Sequence, residues 1–534
     1  MFTARAPAQS GRMRTDLEPQ GTPGTVPVRR RRRLLVRVLV AILSVVVLAV
    51  LGVAGLAGWV YSRAEQSNLG KLDFDNQLKI PPLLEPRVDT SGTKVFDLRL
   101  EPGSSRFLPG KTTATWGVNG AYLGPTLHAS RGDRVRINVA NGLPEAITLH
   151  WHGMHLPARA DGGPHQLIAP GATWSPSWTI DQPAATLWYH PHLHGDTEDH
   201  VYRGVSGLFL LDDPRAGALP LPRHYGVDDV PVIVQDKRLQ SNGQLSFGEP
   251  LASPIGRLGS DILINGTWSP HLDVGTRLVR FRLLNASTAR SYDIGFADGR
   301  VFDQIATDGG LLEAPYRTTR VPLSPGERAE IVAAFKPGER ALLRSFPPRL
   351  GLGTIGDRLA GGDDSFDLLQ VRAAAKLRGS PPVPDRLVPR ERLDPDTAAA
   401  TRDIELTGSG AINGRPMDMG RIDQVVTVGT TEVWRVSNQS GNLHNFHVHD
   451  VQFQLLDYRG VPPPPNLAGW KDTVPLPPGA SMRLIARFSD YADPSSPYMF
   501  HCHLLRHEDN GMMAQFVVVE PGQTASAPEH HHHG

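Results

Sequence analysis

Ile412-Asn413-Gly414, followed by Val428-Gly429-Thr430, then Val433-Trp434-Arg435-Val436 and Asn438, reads as a loop, a glycine turn and a strand of alternating apolar and polar residues. The same series occurs twice more. Val118-Asn119-Gly120 precedes Arg131-Gly132-Asp133-Arg134-Val135-Arg136-Ile137 and closes at Asn141. Ile264-Asn265-Gly266 precedes Val274-Gly275-Thr276 and Val279-Arg280-Phe281-Arg282-Leu283, and closes at Asn285. From the turn glycine to the closing Asn the interval is 9, 10 and 9 residues in chain order. Three aligned copies, about 150 residues apart, argue for three homologous β domains.

The length of 534 residues agrees, at roughly 100–200 residues per domain. The 54 Gly and 47 Pro suit a turn-rich chain and fall short of a low-complexity one. A net charge of +1 gives no reason to expect nucleic acid. A single Cys excludes a disulfide scaffold and a zinc finger. The domains are expected at 85–228, 229–395 and 396–522, with a tail over 523–534. The Gly- and Asp-rich stretch Leu350 to Phe366 reads as a mobile loop, and Ser380-Pro381-Pro382-Val383-Pro384 begins a linker into the third domain.

Charge is uneven: residues 1–63 carry a net +8, leaving −7 on the remainder. Arg29 to Arg33 form a basic run, and Val38 to Tyr61 is a 24-residue stretch without a charge. At 1.5 Å per residue that is about 36 Å of helix, against about 30 Å of bilayer hydrocarbon. Trp59 and Tyr61 stand where interfacial aromatics are expected, and the arginines favour a cytoplasmic N-terminus. Residues 1–37 then form a cytoplasmic basic tail, 38–61 a transmembrane anchor and 62–84 a stalk. The rival is a cleaved signal, since Arg32-Arg33-Leu34-Leu35 resembles a twin-arginine export signal. Either way the body lies outside the cytoplasm: anchored to the cell membrane, or secreted or periplasmic after cleavage.

Against one Cys stand 21 His, and they cluster. Eight fall between 150 and 200 and six between 444 and 507. Within these are four H-x-H units: His150/His152, His190/His192, His447/His449 and His501/His503. On a strand, residues i and i+2 point to one face, about 6.6 Å apart, so two imidazoles converge. Neutral imidazole suits copper, zinc, iron and nickel. One such unit is commonly two surface histidines; four in two homologous domains are enough for a multinuclear cluster. Cys502 lies between His501 and His503, so its side chain points to the opposite face. Cys502, His507 and Met512 follow at spacings of five, and with His444 they make a His₂Cys set with a weak axial Met, the donor set of a blue-copper electron-transfer centre. The Cys502 backbone continues into both flanking histidines, which suits one-electron oxidations feeding a four-electron reduction of dioxygen.

These residues resemble the multicopper oxidase family. His150-Trp151-His152-Gly153, Trp188-Tyr189-His190-Pro191-His192, His444-Asn445-Phe446-His447-Val448-His449, and His501-Cys502-His503 with His507 and Met512 are similar to its four copper motifs, and the resemblance covers roughly residues 90–520. It implies an all-β chain of three consecutive cupredoxin-like Greek-key β-sandwich domains. It implies four copper ions: a type 1 ion at His444, Cys502, His507 and Met512, a type 2 ion at His150 and His447, and a type 3 pair at His152, His190, His192, His449, His501 and His503. The trinuclear cluster would lie between domains 1 and 3, with domain 2 as a spacer. The implied partners are dioxygen and a phenolic or cuprous reductant, oxidised near the surface at the edge of His444 or His507. Two departures stand out: Asn445 occupies a position where the family often has Pro, and no Met lies between Met154 and Met417, so a Met-rich cuprous-binding lid is absent and the type 1 site is expected to be more open.

The resemblance places the family counterpart of Asp161 near the trinuclear cluster, and Glu508 adjoins His507; since reducing dioxygen to water consumes protons, both are candidate catalytic carboxylates. Asp450 reads as a surface carboxylate, and His155 and His194 as supporting or surface residues. Met417 and Met419 read as packing residues with a possible cuprous-binding use, and the His530 to His533 run as a metal-binding tail or a tag remnant. The alternatives are a dedicated cuprous oxidase in copper tolerance and, in another class, a non-enzymatic cell-envelope or division protein on the same fold. Such division-associated relatives typically lose copper ligands, which this chain keeps.

Overall fold

In the computed structural model the described residues are 28–248, 253–408 and 410–533, and the side chains of 28–30, 531 and 532 are left aside. The chain divides into two compact units, Met1–Val60 and Tyr61–Gly534. The basic tail expected over 1–37 falls largely outside the described residues. A 37-residue helix, Val28–Ala64, contains the apolar stretch. Its Arg31–Ala64 part, with mean hydropathy 3.1 in its most apolar window, is long and apolar enough to cross a membrane.

The body consists of paired sheets, and the repeated stretch shows why. In each copy the strand ending in the closing Asn lies parallel to an earlier strand: Arg134–Asn141 beside Lys94–Ser105, Leu278–Asn285 beside Asp229–Lys237, and Thr430–Asn438 beside Ala400–Thr407. The registers match, with Asn141 opposite Leu100, Asn285 opposite Val234 and Asn438 opposite Leu406. Each closing Asn caps its strand in one way. The Nδ2 of Asn141 donates to the carbonyls of Glu145 and Ile168, that of Asn285 to Arg290 and Leu323, and that of Asn438 to Asn442 and Leu476, all at 2.8–2.9 Å. Each Oδ1 accepts from the backbone N–H two residues on. The three Asn-Gly turns repeat too: Asn119, Asn265 and Asn413 all have φ near +50° and bridge back to the parallel strand. Asn tolerates this left-handed conformation because its short polar side chain bonds locally.

The alternating residues of these strands fill three apolar cores. Phe96, Leu98, Ile137 and Trp151 lie in the first, Phe281, Phe296 and Leu343 in the second, and Trp434, Phe500 and Phe516 in the third. The third core also takes in Ile255, Leu350 and Ala360 from the middle of the chain. Leu350 to Phe366 therefore departs from the loop read in the sequence. Gly353–Leu359 is a helix, and the flanking Leu350 and Ala360 are buried. Residues 62–84 likewise run along the body, because their polar side chains find fixed partners there. Gln66 N–H donates to Asp364 Oδ1, Asp367 N–H donates to Asn68 Oδ1, and Asn76–Gln77 pairs with Pro270–His271.

The Asn cap yields a direct test. Asn438→Ala leaves the buried Leu476 carbonyl without its partner, at a cost of about 2 kcal/mol, seen as a lower chemical-denaturation midpoint. Ser437→Ala, one residue earlier, leaves the midpoint nearly unchanged. Equal midpoints for both variants would contradict the capping role.

Candidate metal centre

All four H-x-H units come together, on strands that the sheets set side by side. His150–His152 pairs antiparallel with Ala185–His190, placing His150 opposite His190. His444–Val448 pairs with Tyr498–Cys502, placing His447 opposite His501. The two sets then meet face to face. His150 stacks on His449 with ring centroids 3.8 Å apart, and His152 stacks on His447 at 3.8 Å. All eight imidazoles are at most 1% exposed. Their nitrogens converge in three groups: His150, His152 and His447; His152, His190 and His503; and His192, His449 and His501.

Each ring is aimed by what its other nitrogen holds. His150 Nδ1 donates to the Asp161 carbonyl at 2.9 Å, and His447 Nδ1 to the Asp472 carbonyl at 2.9 Å, so both Nε2 atoms face inward with no hydrogen-bond partner. His190 Nδ1 donates to the Pro191 carbonyl at 2.8 Å. His449 Nδ1 meets Asp161 Oδ2 at 2.7 Å, turning Nε2 toward His192 Nε2 and His501 Nε2, 3.2 and 3.3 Å away. His152 is reversed: its Nε2 meets Asp472 Oδ1 at 3.1 Å, and its Nδ1 faces His190 Nε2. Glu508 is fully buried beside the outward nitrogens of His192 and His501, at 3.4 and 3.2 Å. Fixing one nitrogen fixes the tautomer and orients the lone pair of the other. Burial, then the neighbouring rings, holds the pKa of His152, His190, His192, His447 and His449 well below the usual value, so these rings are neutral lone-pair donors. Burial raises the carboxyl pKa of Glu508 well above normal, with Asp509 adding to it.

Both candidate carboxylates therefore touch the histidine group. Asp161 is placed by Gly162, whose φ is +78° and where a Cβ would lie 1.8 Å from the Leu149 carbonyl. Only Gly lets the chain cross so close behind His150.

The second centre forms around sulfur. Cys502 Sγ lies 3.5 Å from His444 Nδ1 and 3.7 Å from His507 Nδ1, and those two nitrogens are 3.1 Å apart. Met512 is fully buried; its carbonyl accepts from Cys502 N–H and its N–H donates to the His507 carbonyl. Burial pushes the Cys502 thiol pKa up to about 12 and lowers His444 to about 3 and His507 to about 4. A bound metal would displace the thiol proton. Asn445 Nδ2 donates to the Pro325 carbonyl, which leaves Oδ1 3.7 Å from Sγ.

The opening expected at this centre is not seen among the described residues. His444 and His507 are buried, at 0% and 1% exposure. His507 Nε2 donates to the Pro254 carbonyl at 3.0 Å, and His444 Nε2 meets Ser440 Oγ at 2.8 Å. The Pro254 carbonyl thus meets the outer edge of His507. Asp450 is also buried, at 3% exposure, because His155 reaches it: Nδ1 is 2.8 Å from Asp450 Oδ1 and Nε2 is 2.8 Å from the half-exposed Asp490. Burial alone would lower the His155 pKa, but the two carboxylates outweigh it and raise it to about 10. His194 lies outside the converging groups.

The middle of the chain also bears on the site through residues that no sequence motif marks. Arg328, fully buried, grips both oxygens of Asp472 at 2.7 and 2.6 Å, and Asp472 in turn orients His152 and His447. The same guanidinium donates to the carbonyls of Thr186, Gly326 and Asp308, so it ties the first, second and third sandwiches together. Lys471 beside it pairs with Glu327 and Asp308 at 2.6 and 2.9 Å. At Gly326 a Cβ would come within 3.1 Å of the His503 ring.

Comparison with known proteins decides the family. Residues 100–216 and 383–522 match the sequence patterns described as "Multicopper oxidase". The chain is 33% identical over 458 residues to "Multicopper oxidase mco" of Staphylococcus aureus, covering 85% of this chain and 95% of that protein. The chain belongs to the multicopper oxidase family. It is also 36% identical over 448 residues to "Cell division protein FtsP" of Escherichia coli K12, covering 83% and 92% of the two chains. Among solved structures, a bacterial laccase-like multi-copper oxidase CueO from Ochrobactrum sp. superposes with TM-score 0.75 at 36% identity, covering 83% of this chain and all of that one. Membership implies copper, and the imidazole and thiolate donors here suit it.

Arg328 gives the test for this region. Arg328→Met strands the buried Asp472 charge and costs about 3–5 kcal/mol of stability, read as a lower unfolding midpoint. Arg483→Met, which breaks a half-exposed pair with Asp457, changes the midpoint little. Indistinguishable midpoints would contradict the clamp.

Proposed function

We propose that this protein is an oxidase that takes single electrons from a phenolic or cuprous reductant and reduces dioxygen to water. The observation that carries the reading is the convergence of two separate sets: eight buried imidazoles in one, and Cys502 with His444 and His507 in the other. When bound, four copper ions would supply one-electron uptake at the sulfur centre and four-electron oxygen reduction at the histidine group. His444, Cys502, His507 and Met512 would hold the type 1 ion. His150 and His447, which offer matching Nε2 atoms, would hold the type 2 ion. His152, His190, His192, His449, His501 and His503 would hold the type 3 pair.

The chain's own contribution is placement. The backbone of Cys502 joins both centres through His501 and His503, giving electrons a short covalent route. Asp161 fixes two rings at once, through its carbonyl to His150 and its carboxylate to His449. Glu508 stands between His192 and His501. We assign these two carboxylates the handling of the protons that water formation consumes. The Pro254 carbonyl occupies the outer nitrogen of His507, so an electron donor would approach across this contact or at the edge of His444. The apolar helix is read as an anchor that keeps the body outside the cytoplasm, with signal cleavage as the alternative.

Similarity to FtsP favours a second reading, a non-enzymatic role in the cell envelope. The complete donor set argues for the oxidase. Copper-loaded protein should be blue and should consume oxygen with a phenol, with cuprous ion, or with both, assayed separately. Cys502→Ser should lose the colour and turnover while keeping copper in the histidine group. A fully loaded wild type that is colourless and inert to oxygen with both donors would overturn the oxidase reading and leave the envelope role.

A further inference from the structure

Among the described residues neither centre includes His530 or His533, yet the backbone of His531–His533 pairs with Gln166–Ile168, just past Asp161. His165, four residues past Asp161, is 2% exposed. Its Nε2 bonds Gln515 Oε1. The orientation of Gln515 is settled by its other end, because its Nε2 lies against three backbone carbonyls, those of Asp418, Met419 and Arg421, at 3.0, 3.3 and 2.7 Å. Only an amide NH₂ can satisfy carbonyls, so the atom facing His165 is the oxygen. An amide oxygen only accepts, so His165 carries a proton on Nε2. In the neutral ring Nδ1 then holds the lone pair, the form in which imidazole binds a metal.

That Nδ1 lies 3.0 Å from His530 Nδ1, with the ring centroids 4.8 Å apart. The approach is held on both sides. Glu529 N–H donates to the Ser495 carbonyl, and Arg159 joins the Glu529 and Asp493 carboxylates at 3.0 and 2.8 Å. Beyond His530, His531–His533 pairs in parallel with Gln166–Ile168, the strand that begins one residue after His165. A buried, tautomer-locked imidazole thus meets the first of four consecutive histidines at a separation suited to two ligands of one ion.

We propose that His165 and His530 form a further metal site, distinct from the two centres above, for a divalent cation of intermediate softness such as zinc or cupric ion. The ion clamps the 529–533 segment onto the Gln166–Ile168 strand. Paired imidazole nitrogens select such ions over magnesium or calcium, which take oxygen ligands.

The test uses the full chain, already loaded with copper and freed of loosely held metal, titrated with zinc ion in a calorimeter. Wild type should bind one more zinc ion per chain than His165→Gln, or bind it about tenfold or more tightly, and His530→Gln should match His165→Gln. Zinc should also slow amide exchange at Gln166 to Ile168 in wild type alone. Should His165→Gln fail to fold, the exposed His530→Gln carries the comparison. Equal stoichiometry and affinity in wild type and variants would show the run chelating by itself, and no zinc binding would show the two rings merely sharing a proton; either overturns the proposal. Neither result depends on oxygen turnover, so the oxidase reading stands or falls separately.

Discussion

Two ring stacks, His150 on His449 and His152 on His447, are the junction on which the rest depends. They bring together histidines about 300 residues apart in sequence, and they exist only while two sandwiches stay face to face. A cage of neutral imidazoles has little attraction of its own, since each ring offers lone pairs toward the others. The surrounding protein must therefore hold it. It does so by giving the outward nitrogen of most rings a fixed acceptor, from backbone carbonyls at His150, His190 and His447 to carboxylates at His152 and His449. The cost of sealing these groups from water is met by that hydrogen bonding and by the apolar cores around them.

The middle sandwich contributes no candidate ligand, but it is more than a spacer. Arg328 reaches from it to Asp472, Pro325 fixes Asn445 next to the sulfur, and Pro254 caps His507. One domain thus bears on both centres from the side. The sulfur centre is thus contacted by the chain's middle part at Asn445 and His507, which bears on the approach of any electron donor.

Much of this was legible in the sequence because periodicity and spacing are local. The three Asn-ended strands announced three related β units, and the structure repeats their hydrogen bonds atom for atom. H-x-H on a strand places two rings on one face whatever lies around it, so the histidines could be found without a fold. Glu508 is marked by the ligand His507 beside it and Asp161 by the family resemblance, and both lie against the rings. Arg328 and Asp472 gave no such signal. A buried ion pair between residues 144 apart is set by how domains dock, and an Arg or Asp in a strand ordinarily faces water. Asp450 misled for the same reason: its burial comes from His155, nearly 300 residues earlier. The openness expected at His507 does not hold, because lacking methionines is not lacking a cover: the ring is buried and its outer nitrogen meets the Pro254 carbonyl.

Anomalous diffraction from copper-loaded crystals, recorded on both sides of the copper absorption edge, tests the central claim most directly. The account predicts three peaks enclosed by the stacked rings and a fourth beside Cys502. Peaks confined to the protein surface, or an empty space between the two ring sets after full loading, would contradict it.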